Sequence, residues 1–258
     1  MQYDTILYDL AGGIATITLN RPEKMNAMTP QMRAELADAL KRSSTEVRVI
    51  VLTGAGPAFC SGQDLGEGST AAAVDLERVL RDEYEPVIRA IAEAPVPVIA
   101  AVNGPAAGAG ASLALAADVA IATRSAYFLQ AFSRIGLIPD AGGTWALPRQ
   151  VGLPRAMGAA LFAEKIEADQ AADWGMIWEV FDDDTFEAGW RGRAEQLAAG
   201  PTQSYRAIKA AMRASLENDL DMQLSLEAKL QGKCGQTRDF KEGVLAFREK
   251  RKASFEGR

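Results

Sequence analysis

Apolar and polar positions alternate along this chain in two rhythms, one with the short period of strands and one with the longer period of helices. ILYDL (6–10) and IATITL (14–19) are short apolar runs on either side of Gly12–Gly13, which predicts a β-hairpin. VRVIVLTG (47–54), VPVIAAV (96–102) and DVAIAT (118–123) are apolar almost throughout, as strands buried on both faces should be. Between them, Thr29-Pro30 forms a good N-cap and first-turn pair for a helix over 30–43. Val74, Leu76, Val79, Leu80, Val87, Ile88 and Ile91 recur at helical spacing and predict one long helix over 71–93. GAGASLALAA (108–117) opens a further helix directly after a strand. Strands alternating with helices predict an α/β layered core.

From about Gly152 onward the rhythm becomes mostly helical, interrupted by one short strand, IWEVF (177–181). This shift predicts a core over 1–195 and a helical C-terminal lobe over 196–258. Two apolar stripes in that lobe (Tyr205, Ile208, Met212, Leu216 and Leu224, Leu226, Leu230) suit packing or a subunit interface better than a ligand site.

Composition narrows the possible chemistry. The net charge of -6 gives no basic surplus for binding nucleic acid. No apolar run is long enough to span a bilayer, and MQYDTILYDLAGG lacks the features of a signal peptide. Two cysteines, Cys60 and Cys234, build neither a disulfide framework nor a zinc site by themselves. A reducing cytoplasm is the expected location. The chain has no histidine, which removes Ser-His and Cys-His nucleophiles, histidine acid–base catalysis and histidine-ligated metals. Proton chemistry here must come from Asp, Glu, Tyr, Lys or Cys.

Three loops offer such chemistry. GPAFCSGQDL (56–65) follows a strand, and its small residues let backbone N–H groups face a cavity; alone it also reads as an ordinary strand-end loop. NGPAAGAGASLALAAD (103–118) starts a helix with unpaired N–H groups and a positive dipole end, suited to a developing oxyanion. Gly108-Ala109-Gly110 only superficially matches a dinucleotide fingerprint, because position 113 is Leu. IGLIPDAGGTWALPRQVG (135–152) carries Asp140 in an apolar turn, where it either caps the next helix or acts as a catalyst.

Taken together and in order, LNRPEKMNAM (19–28), FCSGQDL (59–65), AAVNGPAAGAG (100–110), IGLIPDAGG (135–143) and the tail FKEGVLAFREKRKASF (240–255) resemble the crotonase (enoyl-CoA hydratase/isomerase) superfamily. The resemblance covers essentially the whole chain. It implies a spiral of ββα turns, a helical C-terminal lobe used in forming homotrimers or dimers of trimers, and a coenzyme A thioester as substrate. It implies an oxyanion hole made by the backbone N–H groups of Gln63 and Ala109, with Asp140 as the catalytic acid–base. CoA would run along the loop of Lys24, Met25 and Ala27, with Asp64 nearby as a ligand or a brace of that loop. Lys250 would reach the nucleotide, although REKRK (248–252) also reads as a solvated basic face. Cys60 is expected to be packed. No metal, redox cofactor, nucleic acid or membrane partner is implied.

Two departures from the family pattern shape the expected reaction. Hydratases of the family share the water between two glutamates, and this chain has Ser112 and Phe132 at those positions. The remaining single carboxylate most resembles the isomerases of ring 1,2-epoxyphenylacetyl-CoA. The expectation is a proton-shuttling acyl-CoA isomerase acting on ring 1,2-epoxyphenylacetyl-CoA, on 3-enoyl-CoA, or on both, with Ile138 and Phe132 raising the pKa of Asp140. The alternatives are a hydratase drawing a second carboxylate from Glu67, Glu77 or Glu83, and a non-catalytic acyl-CoA- or RNA-binding relative.

Overall fold

A computed structural model describes residues 3–66 and 75–258. The hairpin forms as the sequence predicts: β1 (Ile6–Ala11) and β2 (Ile14–Leu19) pair antiparallel across Gly12–Gly13, both at positive φ. β3 (Val49–Gly54), β4 (Val98–Val102), β6 (Val119–Thr123) and β9 (Glu179–Phe181) extend that pair in parallel, giving the strand order β1-β2-β3-β4-β6-β9.

Both faces of this sheet are covered, which is why its central strands are apolar almost throughout. On one face Val49, Val51, Ile99, Ala101 and Ile121 pack against Phe186, Trp190, Ala194 and Ala198 of α8 (Phe186–Ala198). On the other face Ile50, Leu52, Val98, Ala100 and Val102 join the larger core with α1 (Pro30–Glu46). Thr29 caps α1, its side chain accepting the Met32 amide N–H at 3.1 Å. α9 (Thr202–Ala214), α10 (Leu220–Cys234) and α11 (Arg238–Glu249) follow α8. The final residues fold back onto α11, where the buried Asp239 carboxylate accepts the Glu256 and Gly257 amides.

Two features were not legible in the pattern. A second sheet pairs β5 (Ala106–Ala107) with β7 (Tyr127–Leu129) and β8 (Lys165–Glu167), strands too short to show a period. The helix expected over 71–93 is also interrupted. Its residues up to Val74 lie outside the described residues, and the rest forms α2 (Leu76–Val79), a π turn at Leu80–Tyr84 and α3 (Glu85–Ala92). Pro86 explains the break: it has no N–H for the Asp82 carbonyl, and its ring crowds the preceding turn.

Candidate active site

Two loops at the ends of β3 and β4 approach so closely that glycine is required where they touch. A Cβ on Gly110 would meet the Cys60 carbonyl oxygen at 2.2 Å, and one on Gly62 would meet the Ala107 oxygen at 3.0 Å and the Ala109 nitrogen at 3.4 Å. Gly62 also has φ +101°, which side-chain-bearing residues rarely adopt. The Ala107 amide donates to the Cys60 carbonyl at 2.9 Å, and this bond ties the loops together. Ala109 opens α4 (Ala109–Ala116), so its N–H is one of the donors a helix start leaves unused. Gln63 lies beside Met28, whose amide donates to the Gly62 carbonyl and whose carbonyl accepts from Asp64. Among the described residues, the Gln63 and Ala109 amides meet no acceptor.

Asp140 approaches from a different segment. α5 (Gly143–Val151) is preceded by Gly142 with no side-chain cap, so the cap reading of Asp140 does not hold. Its backbone carbonyl accepts the Gly143 amide at 2.8 Å, whereas its Oδ1 is buried without a hydrogen-bond partner. Burial alone pushes the carboxyl up to about 6, in the expected direction. Of the two apolar residues expected to contribute, Ile138 shares the cavity wall with Asp140. Ile138 is 75% exposed in the chain, and Phe132 packs near Gly108, where a glycine Cβ would come within 3.9 Å of its ring.

A cavity of about 690 Å³ opens at Asp140, walled by residues such as Tyr84, Ile88, Ala116, Ile138 and Trp145. Gln63 and Ala109 are not part of its lining. Two observations relate them to it. Tyr84 lies within electrostatic reach of Asp140 and close to the Cys60 thiol. Ser112, three residues beyond Ala109 on α4, has a buried hydroxyl without a partner, and a side chain at Gly143 would meet that hydroxyl at 2.6 Å. Other carboxylates on the wall are committed elsewhere: Glu77 pairs with Arg81, and Glu85 and Glu93 pair with Arg89, all largely exposed. Glu83 is bound by Arg33 and Arg78. Glu67 lies outside the described residues.

The remaining predicted residues are spread around the first loop. Lys24 ends a 3₁₀ turn (Pro22–Lys24), followed by exposed Met25 in a left-handed conformation and buried Ala27, whose carbonyl accepts from Arg21. Asp64 accepts the Gly66 amide and pairs with Arg21 at 2.7 Å, and these contacts hold its carboxyl below the usual range; it braces the loop. Lys250 is the exposed left-handed residue ending α11. No hydrogen bond or ion pair among the described residues joins it to the Lys24–Ala27 loop. Cys60 is fully buried, its thiol pushed up to about 12, and it donates to the Asn26 carbonyl at 3.2 Å, consistent with packing.

The sequence reading missed the residues that hold these loops. Buried Asn26 bonds the Arg21 amide and the Ala55 and Ala58 carbonyls, and Asn103 bonds the Gly54 amide and the Gly56 carbonyl. Arg33 is 3% exposed; it donates to Glu83, the Met28 carbonyl and the Tyr84 hydroxyl. Its signal was present, since Arg33, Leu36 and Leu40 share one face of α1 and an arginine within an apolar stripe needs buried partners.

Comparison with known proteins decides the family. The enoyl-CoA hydratase/isomerase family model matches residues 9–258. The chain belongs to that family. It is 61% identical over 258 residues to a Rhodobacter capsulatus protein named "Probable enoyl-CoA hydratase", covering all of both chains. It is 47% identical to the 1,2-epoxyphenylacetyl-CoA isomerase of Escherichia coli, covering 98% of each. Among solved structures, an enoyl-CoA hydratase homologue from Streptomyces coelicolor superimposes with a TM-score of 0.94 at 38% identity, covering 100% of this chain and 96% of that one. The chain therefore has the crotonase fold and is an enzyme of CoA thioester metabolism, as the resemblance implied. Among the described residues, no helix is long and apolar enough to cross a membrane.

Proposed function

We propose that this enzyme is an acyl-CoA isomerase that moves a proton next to the thioester. The observation carrying this reading is the lone carboxylate: Asp140 has a half-buried side chain with a partnerless oxygen, while Ser112 and Phe132 stand where a hydratase pair would be. The Gln63 and Ala109 N–H groups donate to the thioester carbonyl oxygen, forming the oxyanion hole. Asp140 takes a proton from the carbon beside the carbonyl, and the electron pair moves onto the oxygen as an enolate. The enolate collapses along the conjugated system, and the distal carbon takes the proton back from Asp140. A 3-enoyl thioester becomes a 2-enoyl thioester by this route. In a ring 1,2-epoxide of phenylacetyl-CoA, the same shift accompanies ring expansion to the oxepin. Each oxyanion donor is worth about 3–4 kcal/mol of transition-state stabilisation. The chemistry calls on no metal or redox cofactor.

CoA is proposed to lie along Lys24, Met25 and Ala27, with Lys250 as a candidate nucleotide contact. Ile208, Met212, Leu216 and Leu224 are about half exposed or more in the single chain, which supports assembly into a trimer or a dimer of trimers. Hydration is the second reading, favoured by the name of the Rhodobacter relative. Mass spectrometry separates the two. With 3-enoyl-CoA and ring 1,2-epoxyphenylacetyl-CoA, isomerisation gives products of unchanged mass. A product heavier by one water from 2-enoyl-CoA, formed faster than any isomer, refutes the proposal.

A further inference from the structure

Tyr84 is 2% exposed, yet it lines the Asp140 cavity. It sits in the π turn that Pro86 imposes, and such turns re-aim side chains within a helix. Arg33 holds it twice, with its guanidinium 4.7 Å from the ring centroid and Nη1 3.4 Å from the hydroxyl oxygen. Arg33 can only donate, so the phenol oxygen is the acceptor in that contact and its own hydrogen remains to be given. Among the described residues, that hydrogen meets no acceptor. On the same cavity, Asp140 Oδ1 is an acceptor without a donor. The two do not bond each other, so one wall carries an unused donor and another an unused acceptor.

Buried polar groups left unpaired are costly, and a ligand that pairs both recovers that cost. We infer that the Tyr84 hydroxyl donates a hydrogen bond to an oxygen carried by the acyl group, near the carbons between which Asp140 moves its proton. This rests on the isomerase reading in placing the acyl group in this cavity. The favoured substrates are then oxygen-bearing acyl thioesters such as ring epoxides and ethers. Tyr84 transfers no proton; burial holds its phenol protonated, and it orients the oxygen. Arg33, also bonded to Met28 beside Gln63, sets its position relative to the oxyanion loop.

Binding of two matched ligands that cannot isomerise tests this apart from turnover. 2-Methoxyphenylacetyl-CoA and 2-ethylphenylacetyl-CoA differ by an oxygen in place of a methylene, and the ether can only accept. Calorimetric Kd values in the wild type set their ratio. Tyr84→Phe shifts that ratio against the ether by about fivefold while the ethyl compound binds as before. Replacing Tyr84 with 3-fluorotyrosine, a stronger donor of similar size, shifts it the other way. Asp140→Asn leaves it within about twofold, so failure of the proton shuttle and failure of this contact are read separately. A ratio unmoved by both Tyr84 replacements, or equal weakening of both ligands, overturns the inference.

Discussion

Asp140 and Gly143 are joined through the backbone alone: the Asp140 carbonyl takes the Gly143 amide at 2.8 Å, while its carboxylate caps nothing and keeps a buried, partnerless oxygen. The main chain is fixed at this turn, and the side chain is left for other use. Holding the carboxylate there costs stability.

That cost predicts a pH-dependent gain from Asp140→Asn. Burial raises the carboxyl from 3.8 to about 6, so the folded state keeps a proton that the unfolded chain gives up between those values. Stability therefore falls as pH rises through this window, and above about pH 6 the whole penalty is present, about 3 kcal/mol as an upper figure. Urea unfolding should find the Asn variant more stable than the wild type at pH 8, with the gap closing toward pH 4. A gap of equal size at both pH values would contradict the assignment.

The same shift sets the activity profile. Asp140 must be ionised to take a proton, so kcat/KM should fall below about pH 6 with unit slope. A profile flat down to pH 5 would mean that another group supplies the base.

The loop contact predicts a separation of effects between glycines. At Gly110 a methyl group would collide with the Cys60 carbonyl oxygen, pushing apart the segments that carry Gln63 and Ala109. Gly110→Ala should lower kcat by about 100-fold or more through loss of an oxyanion donor. Gly192, inside α8 with open space around its Cβ position, should gain about 0.5–1 kcal/mol on replacement by Ala without loss of activity. Steady-state kinetics and thermal melting of both variants check this.

The sequence carried the large sheet and most helices, because strands buried on both faces and amphipathic helices leave strong periodic signals. It also offered Asp140 as a candidate in an apolar turn, while Gln63 and Ala109 were named through the family resemblance that the joined motifs carry. What it concealed depends on long-range pairing. Asn26 is unremarkable in a polar loop, and its importance comes from carbonyls about thirty residues away. Ile138 lines the Asp140 cavity and is nevertheless 75% exposed in the single chain, a combination that adjacency in the sequence does not reveal. The β5–β7–β8 sheet was illegible for a related reason, since two or three residues show no alternation until tertiary contact pairs them.

The central claim is that Asp140 alone shuttles the proton, and heavy water tests it most directly. Incubated with 3-enoyl-CoA, the wild type should yield 2-enoyl-CoA with deuterium entering at the carbons the shuttle serves. Asp140→Asn should lose both isomerisation and exchange by about 100-fold to 10,000-fold. A variant that still isomerises and exchanges within about tenfold of the wild-type rate, below the range expected for general acid–base catalysis, would contradict the account.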